Sequence, residues 1–188
     1  MITVVSDTHG TDGHRLDGRT LTAVREAELV IHAGDFTTEA VLDAFEAEAG
    51  SAGSETEADD DGADGEFVGV YGNNDDAAVR DRLAGQRVIE HGGVRFVVVH
   101  GHEHGDTARP LLGRQERADV VVVGHSHQPG HRDLGAVTVL NPGSHADPRW
   151  YRPAHAELEP TETGLTGRLV APDGEVFDEF EVTAGGAK

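Results

Sequence analysis

Cysteine is absent from this 188-residue chain, lysine occurs only as Lys188, and aromatic residues make up 5% of it. Without thiols, disulfides and thiolate metal sites are excluded. No apolar stretch approaches the ~18 residues that a membrane-spanning helix requires. Strand-like sequence begins at Ile2 with no charged leader or signal-peptide core, so a soluble, cytoplasmic protein is expected. Positive charge is scarce as well: 15 basic residues stand against 35 acidic ones, a net charge of −20. There is no basic stripe or Lys/Arg run, so the surface repels phosphate backbones and offers no nucleic-acid interface.

Acid spread this widely repels itself, and salt screens it, since the Debye length contracts from about 10 Å at 0.1 M to about 3 Å at 1 M. The composition therefore points to an intracellular halophile. The melting temperature is expected to climb steeply between roughly 0.1 and 2 M KCl. Thermal scans across that range check this, and flat curves would remove it.

What the chain does have is histidine and aspartate at the ends of short apolar runs. Asp7-Thr8-His9 follows a run at 2–5, Gly34-Asp35 one at 29–32, and Gly72-Asn73-Asn74-Asp75 one at 67–71. His100-Gly101-His102 follows 96–99, and Gly124-His125-Ser126-His127 follows 120–123. Such runs read as buried strands, and ligand sites in α/β folds gather beyond the carboxyl ends of strands. Five motifs placed this way bring carboxylate, amide and imidazole groups around one point, as a two-metal hydrolytic site requires. Asp12-Gly13-His14 has the same spacing without the strand and reads as a decoy.

In that order the motifs resemble the calcineurin-like metallophosphoesterases, specifically their small single-domain phosphodiesterase branch. The resemblance covers roughly residues 1–149, and Asn141-Pro142-Gly143-Ser144 followed by Pro148-Arg149 is similar to a further element of that branch. It implies a four-layer α/β/β/α sandwich of two mixed sheets and a centre of two divalent ions. One ion would be held by Asp7, His9, Asp35 and His127, the other by Asp35, Asn73, His100 and His125, with Asp35 bridging. Mn²⁺ suits these hard donors, with Fe, Ni or Zn as alternatives. The implied activity is phosphodiester hydrolysis by a metal-bridging hydroxide, with His102, Asn73 and Asn74 binding the developing charge. The implied partner is a small phosphoester, and a homo-oligomer stays open.

Bland readings compete at several positions. A strand-end aspartate such as Asp35 is otherwise a helix cap, and Gly-Asn-Asn-Asp is ordinary turn sequence. His125 and His127, at i and i+2 of an extended segment, would face one way. His14, His91, His131, His145 and His155 read as surface histidines, and His32 as packed beside Asp35. Asp75 reads as a helix cap more readily than as a positioning group. Many relatives carry histidine where this chain has Asn74, and asparagine cannot supply a proton near neutral pH. Two rivals remain: a phosphomonoesterase or nucleotidase, and a scaffold protein that keeps the fold with a degraded metal site.

The length suits a single domain over residues 1–188. Residues 50–66 carry seven acids and almost nothing to bury, which predicts a solvated, disordered loop. Leu21, Val24 and Ala27 give one helical face, and Thr37 or Thr38 can cap a second helix that buries Ala40, Val41, Ala44, Phe45 and Ala49. Helices are also expected at 77–83 and 107–118, and a strand at 135–140. Alternating runs from His155 onward predict an antiparallel meander that completes the second sheet.

Overall fold

The computed structural model describes residues 1–49 and 65–185. The first half alternates strands β1 (Ile2–Val5), β2 (Leu29–His32) and β3 (Glu66–Gly69) with helices α1 (Gly18–Glu26), α2 (Glu39–Ala49) and α3 (Ala77–Arg82). Then come β4 (Gln86–His91), β5 (Val94–Val99), α4 (Ala108–Glu116), β6 (Val120–Val122), β7 (Gly130–Asp133) and β8 (Thr138–Asn141). The chain ends in β9 (His155–Thr161), β10 (Gly164–Val170) and β11 (Val176–Thr183).

Two mixed sheets result, ordered β11-β10-β9-β1-β2-β3 and β4-β5-β6-β8-β7. Ile2, Val4, Leu29 and Ile31 from one sheet meet Phe96, Val98, Val120 and Val122 from the other in the central core. The alternate residues face outward: Val5 and Val30 pack with Val24 of α1 and Phe45 of α2, while Val97 and Val121 pack with Leu112 of α4. Strands covered on both faces must be apolar throughout. That explains the continuous runs and gives the α/β/β/α layering. Among the described residues, no helix is long and apolar enough to cross a membrane.

Several expectations need correction. The C-terminal meander completes the first sheet, because β9 pairs antiparallel with the free edge of β1. The second sheet is instead closed by β4 and β7, whose polar, half-exposed residues leave no apolar signature. The strand at 67–71 shifts to Glu66–Gly69, after which Tyr71 N donates to Ala84 O. That at 135–140 starts only at Thr138. On α2, Leu42 is buried and Ala40 exposed, and the Thr38 hydroxyl donates to Thr11 O rather than capping the helix. The acidic segment expected at 50–66 lies outside the described residues apart from Gly65 and Glu66, where β3 already begins.

His145 and His155 are buried, not on the surface. His145 donates from Nε2 to His14 O at 3.1 Å, while its Nδ1 has no partner among the described residues. Burial pushes its pKa down to about 4. Between pH 6.5 and 4 the unfolded chain therefore takes up a proton that the folded one refuses, so stability falls as the pH drops through that window. The loss is on the order of 3 kcal/mol at pH 4 from this residue. Denaturant titrations of wild type and His145→Gln at pH 7.5 and 4.5 should show a smaller pH loss in the variant; equal losses would refute the assignment.

Candidate metal centre

Every expected ligand sits just past the carboxyl end of a strand. Backbone pairing continues beyond the sheets here: Asp7 N donates to Gly34 O, His9 N to Asp35 O and Gly124 N to His100 O, at 2.9 to 3.1 Å. The ligand loops thus run side by side. Asp7, His9, Asp35, His125 and His127 all adopt positive φ, from 47° to 68°. Left-handed backbone at a non-glycine residue costs roughly 1 kcal/mol or more and clusters at functional sites. It also corrects one expectation, since His125 and His127 reach the centre from left-handed turns and not from an extended segment.

Close approach imposes glycine nearby. A Cβ at Gly72 would lie 2.1 Å from Asp35 Oδ1, and one at Gly124 would lie 2.7 Å from Asp7 Oδ2. Both carboxylates are wedged against bare backbone.

Asp7 and Asp35 are almost fully buried. Asp35 Oδ2 lies 3.5 Å from His9 Nε2 and 3.3 Å from His100 Nε2, between the two halves of the expected centre. Asp7 Oδ1 lies 3.4 Å from His127 Nε2 and 3.9 Å from His9 Nε2. It is also 4.0 Å from His100 Nε2, so Asp7 belongs to both clusters, Asp7–His9–His127 and Asp7–Asp35–His100. Asn73 Oδ1 extends the series, 3.2 Å from His100 Nε2 and 2.9 Å from His125 Nδ1. The seven expected donors are brought together. Asp12-Gly13-His14 stays out, with the His14 ring on Glu48.

The tautomers follow from the second layer of contacts. His100 Nδ1 donates to Ala33 O at 2.7 Å, and His127 Nδ1 donates to Asp147 O. A carbonyl can only accept, so in the neutral rings Nε2 is a bare lone pair facing the cluster. The His9 and His127 Nε2 atoms stand 3.3 Å apart on stacked rings. Donors bound about 2.0–2.2 Å from one ion at 90–110° stand about 3–3.6 Å apart. The donor set and its spacing fit a divalent cation on each side of Asp35.

Charge tells the same story. Burial pushes the Asp7 carboxyl up to about 7, with repulsion from Asp35 adding to it. Burial also acts upward on Asp35, but the hydrogen bond and charge of a protonated His100, whose own pKa Asp35 and Asp7 raise, together with the hydrogen bonds from Asn74, outweigh it and hold that carboxyl below its ordinary range; a divalent ion would take the place of that His100 proton. Burial lowers His9, His125 and His127, which keeps imidazole nitrogens free to bind metal. Burial and then the charge of His100 lower His102, whose exposed ring lies 5.5 Å from His100 and 6.3 Å from His125.

Two positions behave differently from expectation. Asn74 turns its side-chain amide onto Asp35 Oδ2 at 2.7 Å and its backbone N–H onto Oδ1 at 2.8 Å, so it fixes the carboxylate expected to bridge. Asp75 is no helix cap; Asp76 caps α3 by accepting from Val79 N. Asp75 instead accepts from the backbone of Asp35, Thr37 and Gly72, joining the two loops that carry Asp35 and Asn73. Arg80, which the sequence reading missed, grips the carbonyls of Gly72, Asn73 and Asp75. Its place one turn into α3, after the Gly-Asn-Asn-Asp loop, was the available signal.

Residues 1–163 match the calcineurin-like phosphoesterase superfamily domain. A probable metallophosphoesterase of Methanothermobacter thermautotrophicus is 32% identical over 158 residues, 82% of each chain. A phosphodiesterase of Methanocaldococcus jannaschii is 24% identical over 153 residues, 76% of this chain and 82% of that one. Among solved structures, wild-type Vps29 of Entamoeba histolytica complexed with zinc superposes with a TM-score of 0.70 at 21% identity, over 96% of this chain and 98% of that one. With the fold, the donor cluster and these matches in agreement, the chain belongs to the calcineurin-like phosphoesterase superfamily.

Proposed function

We propose that this chain hydrolyses phosphodiesters at a binuclear metal centre. The observation that carries the reading is the unbroken series of donors from His127 through His9, Asp7, Asp35, His100 and Asn73 to His125, with bare Nε2 lone pairs turned into it. Asp7, His9, Asp35 and His127 would hold one ion, and Asp35, Asn73, His100 and His125 the other. Two divalent ions there would lower the pKa of a bound water towards 7 and neutralise charge on the phosphoryl oxygens. Oxygen and imidazole donors suit Mn²⁺, with Fe, Ni or Zn as alternatives.

The remaining work falls to residues at the mouth. His102, exposed and kept neutral, can donate a hydrogen bond to a phosphoryl oxygen or pass a proton. Asn74 orients Asp35 and has no proton to give a leaving group. A diester with a competent leaving group therefore fits this mouth, and the phosphodiesterase among the relatives supports that substrate class. The scaffold reading expected a degraded metal site, and here all seven positions carry competent side chains.

Chelation should lower turnover by more than about a hundredfold, with Mn²⁺ restoring it, because the nucleophile depends on the metal. The test is a panel of mono- and diesters assayed with each metal in molar KCl. Activity that survives chelation, or is confined to monoesters, would overturn the proposal.

A further inference from the structure

The turn beside the metal centre carries two side chains that the proposed hydrolysis leaves unused. Trp150 is 95% exposed and is the only tryptophan in the chain. Arg149 before it is exposed, has φ of 52°, and makes no ion pair or hydrogen bond among the described residues. Arg19, Arg82, Arg95, Arg152 and Arg168 each engage an acid; among the described residues Arg149 shares its lack of one with Arg87, Arg114 and Arg117, and differs from them in following the loop that carries Asp147.

Single exposed apolar residues are ordinary, but the seat of this one is not. Tyr151 N donates to Pro148 O at 2.9 Å, closing a turn with Arg149 and Trp150 at its apex. On one side, Asp147 O accepts from His127 Nδ1, Asp147 N donates to Ser144 Oγ, and Arg15 donates to Ala146 O. On the other, Arg152 lies over the Phe177 ring and pairs with Glu175, and Ala154 N donates to Ser144 O. Both flanks are fixed, and Trp150 lies three residues beyond the carbonyl that orients a proposed ligand. Arg149 itself follows that carbonyl by two residues, on the loop that flanks the His127 side of the centre.

We propose that Arg149 and Trp150 form a recognition corner for phosphodiesters that carry a flat aromatic base. The guanidinium fork engages a non-bridging phosphoryl oxygen, and the indole stacks on the base. The corner rests on the phosphodiesterase reading. On so acidic a surface, an unpaired cation at the mouth also draws an anionic substrate to the one place it can react.

The test uses the full Mn²⁺-loaded chain in molar KCl with two cyclic diesters, adenosine 2′,3′-cyclic phosphate and ethylene cyclic phosphate, which lacks the base. The wild type should show the lower KM for the base-bearing diester. Trp150→Ala should shrink that advantage about tenfold, the scale of base stacking on an aromatic ring, and Trp150→Phe should restore most of it. Arg149→Met should raise KM for both diesters by about tenfold, since both carry the phosphate. Because Trp150 is the sole tryptophan, AMP should quench intrinsic emission where glycerol phosphate does not. An undiminished advantage in Trp150→Ala, or emission indifferent to AMP, overturns the corner alone. Turnover of neither diester by the wild type overturns the phosphodiesterase reading, and the corner with it.

Discussion

Asp35→Ala should lose both metal ions and at least about a thousandfold in turnover, since each ion contributes several kcal/mol of transition-state stabilisation. The reason is positional: one oxygen of Asp35 stands within 3.5 Å of a histidine from each half of the centre. No other side chain reaches both at that distance among the described residues. His127→Ala, by contrast, should weaken one ion only, because His127 meets only His9 and Asp7 of the donor set. Metal analysis per chain, alongside turnover, separates the outcomes. An Asp35→Ala protein that keeps two ions and full activity ends the bridging assignment. Asp35→Asn, which preserves shape and most hydrogen bonds, guards against a trivial folding defect and should also lose most activity.

Glu157→Ala should leave ion binding intact and cost about 3–5 kcal/mol of stability, the usual penalty for breaking a buried ion pair. Glu157 sits mid-strand in β9 opposite Thr3, 2% exposed beneath α1. It accepts from Arg19 Nε at 2.6 Å, Arg168 Nη2 at 2.8 Å and His155 Nε2 at 3.1 Å, and His155 reaches Thr20 of α1 through Nδ1. Burial alone would raise this carboxyl, yet the His155 and Arg19 donors win and hold it at about 2. Its stabilisation is therefore complete above pH 4.5 and lost as the pH falls towards 2. In a chain of this size the variant should melt about 10 °C lower. A shift under two degrees would mean that the cluster is no more than a break-even arrangement.

The two substitutions also show what sequence could and could not reveal. The strands that present ligands were legible because sheets covered on both faces demand unbroken apolar runs, and the motifs follow those runs directly. Strand partnership was not legible: alternation in 155–182 fixes which residues face inward but not which free edge receives them. The polar edge strands β4 and β7 carry no pattern at all. Around the centre, the chemistry-bearing residue types were visible and the backbone holding them was not. Left-handed turns at Asp7, His9, Asp35, His125 and His127 defy local propensity and exist only because neighbouring loops pair with one another. The roles of Asp75 and Asn74 depend on groups up to 40 residues away, beyond the reach of any local reading. The burial of His145 and His155 follows from a packing that their flanking residues do not announce.

The donors are divided between the two sheets: Asp7, His9, Asp35 and Asn73 follow strands of one, and His100, His125 and His127 follow strands of the other. Neither sheet can close the centre alone, so its formation must wait for the sheets to dock in register. Ions held as proposed would then work as a clasp across the sandwich, and their mass-action stabilisation would be drawn on whenever the layers slide. A core substitution between the sheets, such as one at Val98 or Leu140, would be felt at the centre as lost affinity well before the fold gives way. Metal occupancy thus becomes a gauge of how squarely the two halves of the molecule are seated.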